Sequence, residues 1–247
     1  MRFDITALPS QQRPHMKSFF ALVGATAACL VSPLAAQQTR PVKLRSICFQ
    51  HSGDLKKLFA VSGGEKAHAV EFQLFTTVIS DAVDTFVTDG MLTFATPDGE
   101  ADGKPKFKTI ATAKVVSGPR QLAIFIPGAE GQSPYNCFVI DDSEKNFPMG
   151  STMAINLSGL PFRFSIGEHL KVINPGKIEN IPIARKTNDR GQVSVIVSIA
   201  DAASEGGWRA VNQTRWFAGT DKRDLAIGFL HPKTHQPTVN CYADTIR

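Results

Sequence analysis

No glycine-flanked nucleophile elbow, no phosphate-cradling glycine loop and no helix carrying two metal histidines can be found in these 247 residues. Serine, histidine and aspartate all occur, but no local context joins them into a triad, so the sequence points to a non-catalytic protein without a cofactor. Long amphipathic helical patterns are missing as well, which excludes a helical bundle. Apolar runs are short: the longest, Phe19 to Val31, falls below the roughly 20 residues that span a bilayer. Excess charge is small, +5 overall, with no concentrated basic stripe, and this argues against nucleic acid as a partner.

The first 36 residues read as a signal peptide. Met16-Lys17 opens a basic segment, Phe19 to Val31 is the apolar run, and Pro33-Leu-Ala-Ala36 offers small residues for cleavage before Gln37. Fifteen residues, rich in polar side chains and proline, precede Met16, which marks Met16 as an alternative start. Cleavage removes Arg2, Arg13, Lys17 and Asp4, lowers the net charge to +3 and leaves no transmembrane anchor. The expected location is outside the cytoplasm, in the periplasm, the outer envelope or the medium. Three cysteines then remain, Cys48, Cys137 and Cys241, an odd number that leaves at least one thiol free or paired between chains. A Cys48–Cys137 bridge is one arrangement, and buried thiols are the other.

The mature chain contains a repeat. Arg120-Gln-Leu-Ala-Ile-Phe-Ile-Pro127 followed by Pro134-Tyr-Asn-Cys-Phe-Val-Ile-Asp141 returns as Arg223-Asp-Leu-Ala-Ile-Gly-Phe-Leu230 followed by Pro237-Thr-Val-Asn-Cys-Tyr-Ala-Asp244. Each copy is a pair of apolar runs around a turn-rich gap, the pattern of a β-hairpin. In this alignment Cys137 and Cys241 occupy matching positions. Short alternating runs and turn clusters fill the remainder, as in Val193, Val195, Val197 and Ile199. The fold expected is all-β, with two tandem immunoglobulin-like sandwiches at 37–145 and 146–247 that meet in the polar stretch Asp141–Pro148. The segment from Thr76 to Asp89 fits either a strand or a helical turn.

Two stretches carry ligand chemistry. Trp208-Arg-Ala-Val-Asn-Gln-Thr-Arg-Trp216 is the one aromatic-plus-basic patch, and Trp208, Arg209, Arg215 and Trp216 have the chemistry to stack sugar rings or grip an anion. In an unbroken strand both tryptophans share one face, which would make them core residues with the arginines outside. Asp98, Glu100 and Asp102, with Gly103 after them, match the opening of a calcium loop. The twelfth position, however, is Thr109 rather than a bidentate glutamate.

Ala154-Ile-Asn-Leu-Ser158, Phe162-Arg-Phe-Ser-Ile-Gly167 and Asn174-Pro-Gly176 resemble strands of uncharacterised exported bacterial β-sandwich proteins. The resemblance implies the fold and export, and carries no functional residue across. The function expected is an exported structural or protein-interaction module of the cell envelope, with an envelope protein or polysaccharide as partner. A glycan- or anion-binding module is the alternative, and an exported hydrolase the third reading.

Overall fold

Apolar side chains recur at every second position through most of the chain, and this pattern folds into strands with little else. About 60% of the described residues lie in strands and 2% in helix. The computed structural model describes residues 39–62, 68–101, 103–129, 131–231 and 234–245. The expected signal segment at 1–36 and Asp102 of the expected calcium loop lie outside the described residues.

The first eight strands are β1 (Thr39–Cys48), β2 (Lys57–Ser62), β3 (His68–Gln73), β4 (Val83–Thr88), β5 (Met91–Ala101), β6 (Lys104–Lys114), β7 (Arg120–Pro127) and β8 (Tyr135–Asp141). The second eight are β9 (Thr152–Asn156), β10 (Phe162–Ile166), β11 (His169–Ile173), β12 (Ile178–Ile181), β13 (Gln192–Ala200), β14 (Trp208–Phe217), β15 (Arg223–Leu230) and β16 (Pro237–Asp244). A 3₁₀ turn at Glu205–Gly207 precedes β14. Among the described residues, no helix is long and apolar enough to cross a membrane.

Pairing repeats strand for strand. The row β4-β1-β7-β8 has its counterpart in β12-β9-β15-β16, and β3-β2-β5-β6 in β11-β10-β13-β14. In both halves the first and seventh strands run parallel, β1 with β7 and β9 with β15, while the other pairs are antiparallel. In the first half a single bridge, Thr88 to Met91, joins the two rows. It flanks Asp89-Gly90, whose φ angles of 51° and 75° are the positive pair that a tight hairpin turn requires. The order differs from the immunoglobulin one, in which the first strand pairs with the second. The stretch left open between strand and helical turn is a loop through residue 82, followed by β4.

Three apolar cores follow from the alternation. Val42, Leu44, Cys48, Phe94, Ala123 and Phe125 fill the first half, and Ala154, Phe162, Phe164, Val195, Val197 and Ala226 the second. The third core lies between the halves, where Ile47, Leu122, Ile124 and Ile140 meet Met153, Ile155, Leu225, Ile227 and Tyr242. Strands β7, β9 and β15 are therefore apolar on both faces, the usual condition of a covered parallel pair. At position 228 the second copy has glycine where the first has Phe125. A Cβ there would lie 3.1 Å from the Phe162 ring, so Phe162 takes over the space that Phe125 fills in the first half.

Among the described residues no strand pairs across 142–151, yet this connection is itself anchored. Asp142 is 1% exposed and Phe147 fully buried in the shared core. Buried polar side chains fix the turns nearby. Gln121 bonds the backbone of Val116 and Gly118, and Asn156 bonds Leu160, Ile173 and Ser158.

Candidate functional site

On β1 and β7, residues of one parity face the shared core: Arg45, Ile47 and Phe49, then Arg120, Leu122, Ile124 and Ile126. On β15 and β16 the same face carries Arg223, Leu225, Ile227, Tyr242 and Asp244, because side chains alternate along a strand. The layer between the halves is therefore apolar in the middle and charged at one end. There Arg45, Arg120 and Arg223 meet Asp142 and Asp244.

Arg223 is fully buried and has its donors spent. Its Nε donates to Asp244 Oδ2 at 2.8 Å, Nη2 donates to Asp142 Oδ1, and Nη1 donates to the Phe147 carbonyl at 2.8 Å. The Phe147 ring covers the guanidinium at 4.2 Å. Arg45 donates through Nε to the Ser80 carbonyl at 3.0 Å and grips both oxygens of Asp244. Burial alone would push the Arg45 guanidinium down; the hydrogen bond and charge of Asp244, with Asp142 behind it, hold it above its usual range. Burial would likewise raise Asp244, but Arg45 and then Arg223 hold its carboxyl below the usual range. Two of these ion pairs, Arg223–Asp142 and Arg45–Asp244, cross between the halves.

Beside the lattice opens a cleft of about 370 Å³, lined by Arg45, Arg120, Phe75, Val78, Asp81 and Asp244 among others. Its outer wall is the β3–β4 loop, stitched to β1 through the buried pair Ser46 and Ser80. The Ser46 amide donates to Ser80 Oγ at 2.8 Å, and the Ser80 amide donates to the Ser46 carbonyl at 2.9 Å. Arg120 stands at the mouth with its side chain 37% exposed. Among the described residues its guanidinium makes one contact, from Nη2 to Asp142 Oδ2 at 3.5 Å. The rest of its five donors have no hydrogen-bond partner among the described residues, and the residue lines the cleft. Chemically the site offers guanidinium and carboxylate beside an apolar wall, a set that binds and orients charged ligands.

No protein-family model matches this chain, and no curated protein is similar to it.

The residues expected from sequence are dispersed. Strand β14 is broken by a bulge opposite Val197 and Ser198, so its parity reverses near Val211. Trp216, opposite Val193, turns inward and packs half-buried on the second core. Trp208, opposite Ala200, turns outward and lies half-buried beneath the Arg163 guanidinium, 4.8 Å from the ring centre. Arg209 is exposed and paired with Asp201 at 3.1 Å, and Arg215 is exposed on the outer face. The two tryptophans therefore do not share a face, as an unbroken strand would have required.

Asp98 and Glu100 are exposed near the outer end of β5, and Asp98 pairs with Lys106 at 3.3 Å. Among the described residues no group of three or more histidines, cysteines or carboxylates is placed to hold a metal. All three cysteines are free. Cys48 and Cys137 both neighbour Phe125, one on each side of β7, so they stand two strand spacings apart, about 9–10 Å. That exceeds the roughly 7 Å limit for a disulfide, and the Cys48–Cys137 bridge is excluded. Cys137 and Cys241 are not equivalent either. Cys137 pairs with Phe125, whose counterpart Gly228 pairs with Val239.

The cleft itself was not anticipated. A signal for it lay in the repeat, whose copies begin at Arg120 and Arg223 and lead to the aspartates Asp142, one residue past the first copy, and Asp244.

Proposed function

We propose that the mature chain is a non-catalytic binding module of the cell envelope, built from two tandem β-sandwiches of one topology, which holds a small charged ligand in the cleft beside Arg120. The sandwiches have immunoglobulin-like size without immunoglobulin strand order. Export with cleavage before Gln37 belongs to the same proposal. The observation that carries it is a guanidinium with unspent donors in a cleft whose other arginine, Arg45, is already fixed by Asp244. Such a site is organised before the ligand arrives, which lowers the ordering cost of binding. This reading keeps the anion-binding alternative and moves its centre from the Trp208–Trp216 strand to Arg120.

Titration calorimetry of residues 37–247 with short-chain carboxylates and inorganic phosphate tests the proposal. Binding of a carboxylate that Arg120→Gln abolishes is the expected result. A wild-type chain that takes up neither these anions nor a carboxylate-bearing zwitterion would refute it.

A second reading, a protein-interaction module, is favoured by the outer face of β11-β10-β13-β14. Leu170 and Val172 are exposed there, on the face to which Arg163 and Trp208 also turn.

A further inference from the structure

The cleft carries a second unspent charge. Asp81, on the β3–β4 loop, is exposed in the same cleft, and among the described residues its carboxylate has no hydrogen-bond or ion-pair partner. Asp244, the other carboxylate of the lining, is saturated by Arg45 and Arg223. Counted with the lattice behind it, the site holds three guanidinium groups and three carboxylates. It is neutral, with Asp81 unpaired and Arg120 held only by its 3.5 Å contact to Asp142. A simple anion on Arg120 would leave Asp81, in the same lining, without a partner and would add a like charge to the cleft, and a polyanion would fare worse. Phe75 and Val78, 42% and 50% exposed, add an apolar wall to the same cleft. These side chains gain by contact with an apolar ligand group.

We propose that the ligand is a small zwitterion with an apolar substituent, of the class of the apolar α-amino acids. Its carboxylate lies on Arg120, its ammonium on Asp81 and its side chain against Phe75 and Val78. This inference rests on the binding reading above and narrows it. Both head-group contacts are charge-assisted and discriminate by sign, so either partial ligand leaves one cleft charge unpaired.

The test compares four probes on the mature chain by titration calorimetry: norleucine, hexanoate, pentylamine and glycine. Norleucine differs from hexanoate by the ammonium, from pentylamine by the carboxylate and from glycine by the apolar chain. The expected order places norleucine about tenfold or more tighter than each of the other three. Asp81→Asn should bring norleucine down to the level of hexanoate while leaving hexanoate unchanged or slightly tighter. Val78→Ser should weaken norleucine and leave glycine unaffected. Both positions are exposed, so circular dichroism and the melting temperature should remain at wild-type values. If hexanoate binds as tightly as norleucine, or Asp81→Asn leaves norleucine unchanged, the zwitterion inference is overturned and the charged-ligand reading stands. If neither norleucine nor hexanoate binds, both fail together.

Discussion

Replacing Asp142 by alanine tests the buried charge lattice most directly. Its carboxylate accepts from Arg223 and lies 3.6 Å from Arg45 and 3.5 Å from Arg120. The Asp142 and Arg223 side chains are 1% and 0% exposed, so no solvent is at hand to replace the lost partner. The variant leaves three guanidinium groups facing Asp244 alone. Breaking a buried pair from one side costs about 3–5 kcal/mol, because the surviving charge is stranded. In a folded region of this size each kcal/mol lowers the melting temperature by about 2–4 °C, so a fall on the order of 6–20 °C is expected.

Two comparison variants make the argument refutable. Asp84 pairs with Lys43 at 3.1 Å, but its side chain is 82% exposed, so Asp84→Ala should cost about 0–1 kcal/mol. Arg223→Met removes the most buried cation yet leaves two arginines facing two aspartates. Charge balance then predicts a smaller loss than Asp142→Ala, despite the deeper burial of Arg223. Differential scanning calorimetry and urea titration would measure all three. An Asp142→Ala variant no weaker than Asp84→Ala, or one more stable than Arg223→Met, would show that charge balance does not govern this cluster.

Further outcomes follow from the same structure. Asp244 is held below its ordinary value of about 3.8, so its contribution is fully present above that pH and is lost as pH falls through the depressed value; acid titration should show wild-type stability dropping below about pH 4, and Asp244→Asn should flatten that limb. Trypsin that nicks the exposed Lys145 should leave fragments that co-elute on gel filtration, since the shared core and the two crossing ion pairs hold the halves together; two separately eluting folded fragments would contradict this. Alkylation in denaturant without reductant should label both Cys48 and Cys137, and a residue pair protected until reductant is added would contradict the strand order β1-β7-β8.

Much of the strand content was readable because alternation is local. Val193 to Ile199 shows its inward set in sequence, and β13 buries Val193, Val195, Val197 and Ile199 as that pattern requires. The parity of Trp208 against Trp216 was not readable, because one extra residue opposite Val197 reverses it and nothing in Arg209-Ala-Val-Asn212 marks that bulge. Asp141–Pro148 is polar and turn-rich, the composition of an exposed linker, yet Phe147 belongs to the shared core and Asp142 to the lattice. What buries them is a sheet that arrives about 80 residues later in the chain. The cleft was hidden for the same reason: its walls come from β1, the β3–β4 loop, β7 and β16, four stretches with no common local signature.

The repeat also accounts for where the site lies. Leu122 and Leu225 are equivalent, and their parallel partners are Arg45 and Met153. Arg120 and Arg223 are equivalent in the same way, as are the aspartates opposite them, Asp142 and Asp244. Two identical halves packed with like ends together would bring two arginines and two aspartates into a closed, neutral set. The third arginine comes from divergence at one register position, where the first half has Arg45 and the second has Met153, 5% exposed in the apolar core. Arg45 takes both oxygens of Asp244, a carboxylate that Arg223 also uses, while Arg223 turns across to Asp142. Arg120 is thereby left with a single long contact to its own partner strand and is turned toward solvent. At the other end of the layer the equivalent pairs are apolar: Phe49 with Leu157, Ile126 with Phe229 and Pro127 with Leu230. They enclose a pocket of about 190 Å³ that contains no charged group. The Arg45/Met153 difference thus adds a third arginine to the charged end of the layer and leaves Arg120 with a single long contact, while the opposite end stays apolar.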